Sequence, residues 1–93
     1  MESQIQRKVV EFARHRGVIA RKLSFGEGWP DYMFLWKGAI LFIEFKRPGE
    51  RPGPLQVYVI DLIRKQGFEV ILVDNIIDGR KAIRRFVGDT DSS

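Results

Sequence analysis

The sequence predicts an α/β fold, a mixed central sheet flanked by helices in the order α-β-β-β-α-β-α. Two stretches carry apolar residues at helical spacing, around Ile5–Ala13 and from Pro54 to Gln66. Between and after them lie short runs rich in β-branched and aromatic residues, and glycine or proline separates one run from the next. Such an alternation packs most simply as a sheet with helices against it.

Each element has its own signals. Ile5, Val9, Phe12 and Ala13 recur on one helical stripe, Ser3 followed by Gln6 resembles a capping box, and Gly17 is a natural stop. "VIARKLSF" reads as a strand that "GEGWP" interrupts. Residues 31–36 and 39–46 read as two strands, joined by Lys37-Gly38 in a tight hairpin turn. "RPGERPGP" is a loop ending in Pro54, which suits the first position of a helix. That helix places Leu55, Tyr58, Val59, Leu62, Ile63 and Gln66 on one face and stops at Gly67. "FEVILV" is a short buried strand, and "GRKAIRRF" is a last short helix with Ala82, Ile83 and Phe86 inward.

Ninety-three residues suffice for one core, here a single domain over 1–88 with an unstructured tail over 89–93. There are no cysteines, so disulfides and thiolate metal sites are excluded. No run has the length of a membrane span, the N-terminus lacks the form of a signal peptide, and the absence of cysteine fits a reducing, intracellular setting. The formal charge of +4 favours a polyanionic partner such as nucleic acid, although a basic surface alone also serves solubility.

The hairpin raises a chemical question. With Lys37 and Gly38 as turn residues, Trp36 faces Ala39, Tyr32 faces Ile43, and Asp31 faces Glu44. Directly opposed residues point to one side of a sheet with Cβ atoms roughly 4.5–5.5 Å apart. Two carboxylates at that separation repel by about 3 kcal/mol at an effective dielectric near 20. Alternation puts Lys46 on the face of Glu44, in a strand apolar on both sides and therefore central. A Glu44–Lys46 ion pair and an Asp31 turn cap would explain each residue separately. They leave the opposition of the two acids unexplained, whereas a divalent cation accounts for it. Mg²⁺ or Mn²⁺ favours carboxylate, carbonyl and water oxygens, with the Phe45 backbone carbonyl a further candidate ligand. Lys46 would then hold the attacking water or stabilise charge on a phosphate, and metal, water and cation together suit phosphodiester hydrolysis.

Pro30-Asp31 followed by Glu44-Phe45-Lys46 resembles the PD-(D/E)xK nuclease signature. The longer stretch "GWPDYMFLWKGAILFIEFKRPGERPGPLQ", followed by "LIRKQGFEVILVD", is similar to the virus-type replication–repair nuclease domain, VRR-NUC, over essentially the whole chain. The resemblance implies a restriction-endonuclease-like core and makes Asp31 and Glu44 metal ligands, Lys46 the catalytic lysine and Gln56 the family's glutamine. Glu2 is the candidate for the family's early helical acid, a further metal ligand. It also implies a Mg²⁺- or Mn²⁺-dependent endonuclease acting on branched or flapped DNA, with small stand-alone members resembling Holliday-junction resolvases in acting as dimers, and with the domain occurring in phage and bacterial proteins. Nicking or restriction-like cleavage by the same chemistry, or a non-catalytic DNA-binding module, are the alternatives.

Several residues have bland readings as well. Gln56 falls in the first turn of its helix, near free amides, where it would position the lysine, a water or a phosphate oxygen, or simply be an exposed helix former. Glu2 lies on the Ile5–Gln6–Val9 row if the helix reaches back that far, or only favours the helix N-terminus. His15 reads as an exposed helix-end residue and Trp29 as a packing residue or a base-stacking one. Arg21, Lys22, Arg47 and Arg51 flank the acids and are the candidate DNA phosphate contacts, with plain solvation the alternative. Paired cuts on a junction call for two active sites, hence a two-fold homodimer, and Val57 and Ile60 on the flank of the Pro54 helix are its candidate interface.

Overall fold

A computed structural model describes residues 3–24 and 26–89. Its elements follow the expected order: α1 (Gln4–His15), β1 (Ile19–Lys22), β2 (Tyr32–Trp36), β3 (Ala39–Phe45), α2 (Pro54–Lys65), β4 (Glu69–Val73) and α3 (Ile76–Phe86). Ser3 caps α1, its hydroxyl accepting from the Gln6 amide, and Gly17 beyond the helix takes φ +82°.

The four strands form one mixed sheet in sequence order. β1, β2 and β3 are antiparallel neighbours, and β4 lies parallel to β3. A parallel neighbour needs a crossover, and α2 supplies it. The hairpin register is the expected one, Trp36 opposite Ala39 and Tyr32 opposite Ile43. Lys37 and Gly38 both adopt positive φ (45° and 81°), as a two-residue turn that follows the twist of its strands requires.

β3 is central and buried on both faces. Leu41 and Ile43 join Val9, Val10, Ala13, Phe34, Val73 and Ile83 beneath α1 and α3. Phe42 joins Val59, Ile60, Ile63 and Val70 beneath α2. β4 is an edge strand and only half covered, with Leu72 and Phe68 exposed, rather than the buried strand that its apolar run suggests.

α2 sits in the sheet differently from its expected stripe. Val59, Ile60 and Ile63 face inward, whereas Leu55, Tyr58 and Leu62 are 48%, 62% and 45% exposed. Ile60 is 4% exposed and belongs to the core, so it is no interface residue. The helix is apolar nearly all round, and periodicity alone cannot select which arc docks. Val57 does remain exposed.

α3 begins three residues before the glycine that marks its expected start. Asn75 caps it, its side-chain oxygen accepting from the Asp78 amide at 2.8 Å. Gly79 lies inside the helix, where a Cβ would collide with Val9 of α1 and press on Val73 of β4. Its lack of a side chain lets α3 settle against both. Gly88 and Asp89 close the helix, the Asp89 amide donating to the Arg84 carbonyl at 2.9 Å. Of the expected tail, positions 90–93 lie outside the described residues.

Candidate active site

The acids, the lysine and the glutamine meet where the C-terminal end of β3 faces the start of α2. The loop that delivers Asp31 is pressed onto α2 at Gly28, where a Cβ would stand 2.9 Å from the Leu55 side chain and φ is +86°. Pro30 is fully buried behind it. Asp31 lies just outside β2, and its Oδ2 accepts from the Phe45 amide at 2.8 Å. That bond ties the acid to the strand that carries Glu44.

Glu44 is 4% exposed, and its two oxygens have different surroundings. Oε2 accepts from Gln56 Nε2 at 2.5 Å and lies 3.1 Å from Lys46 Nζ. Oε1 is buried with no hydrogen-bond partner. Burial pushes the Glu44 carboxyl above its ordinary pKa, and the charge of Asp31 beside it pushes the same way. Lys46 pulls in the opposite direction without cancelling them. The simple ion pair of Glu44 and Lys46 is therefore present, and it leaves one carboxylate oxygen buried and unmatched.

Gln56 is the third residue of α2, and its carboxamide faces the sheet. Its Oε1 accepts from Lys46 Nζ at 2.7 Å and from the Gly53 amide at 3.1 Å. One side chain thus joins the helix start, the lysine and the acid. The exposed-helix reading of Gln56 does not hold.

A polar cleft of about 490 Å³ opens beside these groups, with Gln6, Asp31, Phe45, Lys46 and Arg47 in its wall. Gln6 is 7% exposed, and with Glu44 it makes up the buried polar residues of the described chain. In the sequence Gln6 stands as a capping residue and on the Ile5–Gln6–Val9 row, with no role at the site. Its signal was a glutamine on the apolar stripe of α1. A second depression of equal volume, at the hairpin end by Ile19, Trp36 and Lys37, is mainly apolar and has no acids in its wall.

The loop after β3 is fastened at its far side. The Gly49 amide donates to Asp74 Oδ2 at 3.2 Å, while Asn75 donates to Asp74 Oδ1 at 2.9 Å. These bonds hold the Asp74 carboxyl below its ordinary pKa, Asn75 contributing most. The Arg47 amide donates to Glu50 Oε1 in the same loop. Arg47 is exposed at the cleft, Arg51 is exposed further along, and Arg21 and Lys22 are exposed on β1, where Lys22 pairs with Tyr32 next to Asp31. Glu2 lies outside the described residues.

The donor set suits a hard divalent cation. Asp31 and Glu44 offer carboxylate oxygens, the orphaned Oε1 of Glu44 is short of a positive partner, and Phe45 lines the cleft between them. Among the described residues no group of three acids, histidines or cysteines gathers for a metal, so any further ligands would be backbone, water or substrate oxygens, or Glu2.

Comparison with known proteins agrees with this fold. No model of a known sequence family matches the chain. "Putative nuclease p44" of Acyrthosiphon pisum secondary endosymbiont phage 1 is 38% identical over 77 residues, covering 80% of this chain and 83% of the phage protein. A solved structure described as a VRR_NUC domain superposes with a TM-score of 0.73 at 29% identity, over 90% of this chain and 99% of that one. Sequence relative, backbone likeness and the arrangement of acid, acid and lysine converge, and the chain belongs to the VRR-NUC family of nuclease domains.

Proposed function

We propose that this nuclease is a Mg²⁺- or Mn²⁺-dependent endonuclease that hydrolyses phosphodiester bonds in branched DNA, resolving four-way junctions as a homodimer. The observation that carries the metal reading is the buried, unpartnered Oε1 of Glu44 next to Asp31. A cation bound there would polarise a phosphate oxygen and lower the pKa of a nearby water.

The chain's own groups have distinct tasks in this reading. Asp31 is aimed by the Phe45 amide and Glu44 by Gln56. Lys46, held by Glu44 and Gln56, keeps a positive charge at the cleft wall, where it steadies the attacking water or the charge that grows on the phosphate. Arg47 at the cleft, with Arg51, Arg21 and Lys22 around it, would grip neighbouring backbone phosphates. Among the described residues no helix is long and apolar enough to cross a membrane.

For the dimer, the exposed arc of α2 is our candidate surface in place of Val57 and Ile60. Leu55, Tyr58 and Leu62 share one flank of the helix, next to exposed Trp29. Val57 lies on the other flank with Asp61 and Arg64, both exposed. An apolar patch of this kind, on a protein whose reaction calls for two sites, suits two-fold pairing.

A synthetic four-way junction, offered beside linear duplex, flap and single strand, tests the reading. Paired cuts on the junction alone, lost in EDTA, are expected. Preferential cutting of flap or linear duplex would reassign the task within the same chemistry, and binding without cleavage under Mg²⁺ and Mn²⁺ would make the chain a DNA-binding module.

A further inference from the structure

Away from the cleft, three arginines converge on one aromatic ring. The guanidinium carbons of Arg16, Arg80 and Arg84 lie 3.6, 5.4 and 5.4 Å from the centre of the Phe12 ring. Two come from consecutive turns of α3 and one from the C-terminal cap of α1, so only the docking of those helices assembles the group. All three are half-buried. Among the described residues, the one carboxylate within ion-pair distance of any of them is Asp89, 3.9 Å from Arg16 Nε. Arg80 Nε is buried and has no hydrogen-bond partner.

Stacking on a ring offsets part of the cost of gathering like charges, since a cation over an aromatic face gains about 0.5–1 kcal/mol when exposed and more when desolvated. It engages the faces of the guanidinium groups rather than their planar N–H edges, and those edges are what a phosphate takes up in paired hydrogen bonds. One distant carboxylate does not neutralise three guanidinium groups. Along α1, Arg16 is ten residues beyond Gln6 of the cleft, about 15 Å at the rise of an α-helix. A phosphate held here is therefore a different one from the phosphate cut at the cleft.

We propose that Arg16, Arg80 and Arg84 form a second DNA-backbone contact on the α1–α3 face, which holds a phosphate remote from the scissile one. The proposal rests on the reading of this chain as a DNA nuclease.

Binding of the full chain to a labelled duplex in EDTA, followed across a salt series, tests it. Arg80→Gln with Arg84→Gln should weaken binding about tenfold and reduce the slope of log affinity on log salt by about 1. With metal and saturating DNA, kcat should stay within about twofold, because neither Arg80 nor Arg84 lines the cleft. Removing two charges elsewhere, by Lys37→Gln with Lys65→Gln, should cost less than about threefold. Equal losses in both variants would reduce the effect to net charge and overturn the proposal, as would no loss in the first.

The wild-type chain gives a second reading, which does not depend on the variant folding. Phenylglyoxal labelling should fall at Arg16, Arg80 and Arg84 when duplex is present. Equal labelling with and without DNA, or equal protection by polyglutamate, would overturn the contact while leaving the nuclease reading intact. Wild-type chain that neither binds nor cuts DNA would instead remove the nuclease reading itself.

Discussion

Gln56 and Glu44 are joined by a hydrogen bond of 2.5 Å from the glutamine Nε2 to the acid's Oε2, while the other end of the same carboxamide accepts from Lys46. A residue on a helix thereby fixes the spacing of two residues on a strand. The amide has one donor end and one acceptor end, and acid and lysine demand that polarity.

Gln56→Ala should therefore lower kcat about 10–100-fold, the usual effect of removing a group that orients a metal ligand. Stability should fall by about 1–2 kcal/mol, since hydrogen bonds to charged groups are lost. Single-turnover cleavage and thermal melts measure the two effects. Wild-type activity in this variant would return Gln56 to the role of an ordinary helix residue.

Asp31→Asn and Glu44→Gln should each reduce cleavage by at least about 100-fold, more than an orienting residue costs. Stability should move the other way. The Glu44 carboxyl is raised above its ordinary value of 4.5, so between that value and its folded one the folded chain binds more protons than the unfolded chain. Raising the pH through this window removes stability from the wild type and leaves Glu44→Gln untouched. In EDTA the Tm of the variant minus that of the wild type should widen from about pH 4 to pH 7. A narrowing gap would show that the pairing with Lys46 outweighs burial and Asp31. Mg²⁺ at about 100 times its Kd should then add roughly 2.7 kcal/mol to the wild type and little to either variant.

Lys46→Ala should cut kcat by about 10²–10³ while the Kd for junction DNA in Ca²⁺ stays within about threefold. Ca²⁺ should support binding without efficient cleavage. Equal losses of binding and cleavage would make Lys46 a simple phosphate contact.

Tyr58→Glu with Leu62→Glu should give a folded monomer that nicks junctions without paired cuts in one encounter. Both side chains are exposed, so the fold should survive. Ile60→Glu would be uninformative, because it buries an unpaired charge in the core. Light scattering that shows the wild type monomeric at micromolar concentration, with junctions still cut in pairs, would dismiss the dimer.

The opposed acids were legible in the sequence because a two-residue turn fixes its register without reference to anything distant. Lys37 and Gly38 set every pair from Trp36–Ala39 to Tyr32–Ile43, and Asp31 and Glu44 follow. Local signals served less well where tertiary packing chooses. α2 offers apolar residues on most of its surface, and only the docked sheet distinguishes Ile60 from Leu55. Gly79 read as a helix boundary, since glycine is a poor helix former, yet its purpose is the space it leaves for Val9. The Gly49–Asp74 bond, and the approach of Arg80 and Arg84 to Phe12, come about only through contacts distant in sequence.

The glycine window between α3 and α1 also bears on how the cleft comes into being. About 60 residues of chain separate the end of α1 from the start of α3, so closing that contact carries the entropy cost of a long loop. Contacts of such sequence separation tend to form late in folding, after local hairpins and turns. Ile5 and Gln6 bring the α1 side of the cleft wall, whereas Asp31 and Lys46 bring the opposite side from the hairpin. On that order a nascent chain should display its acids before the α1 side of the cleft is fully fixed, with the docking of α3 onto α1 coming last. Gly79→Val would interrupt that final step from a position that lines no part of the cleft.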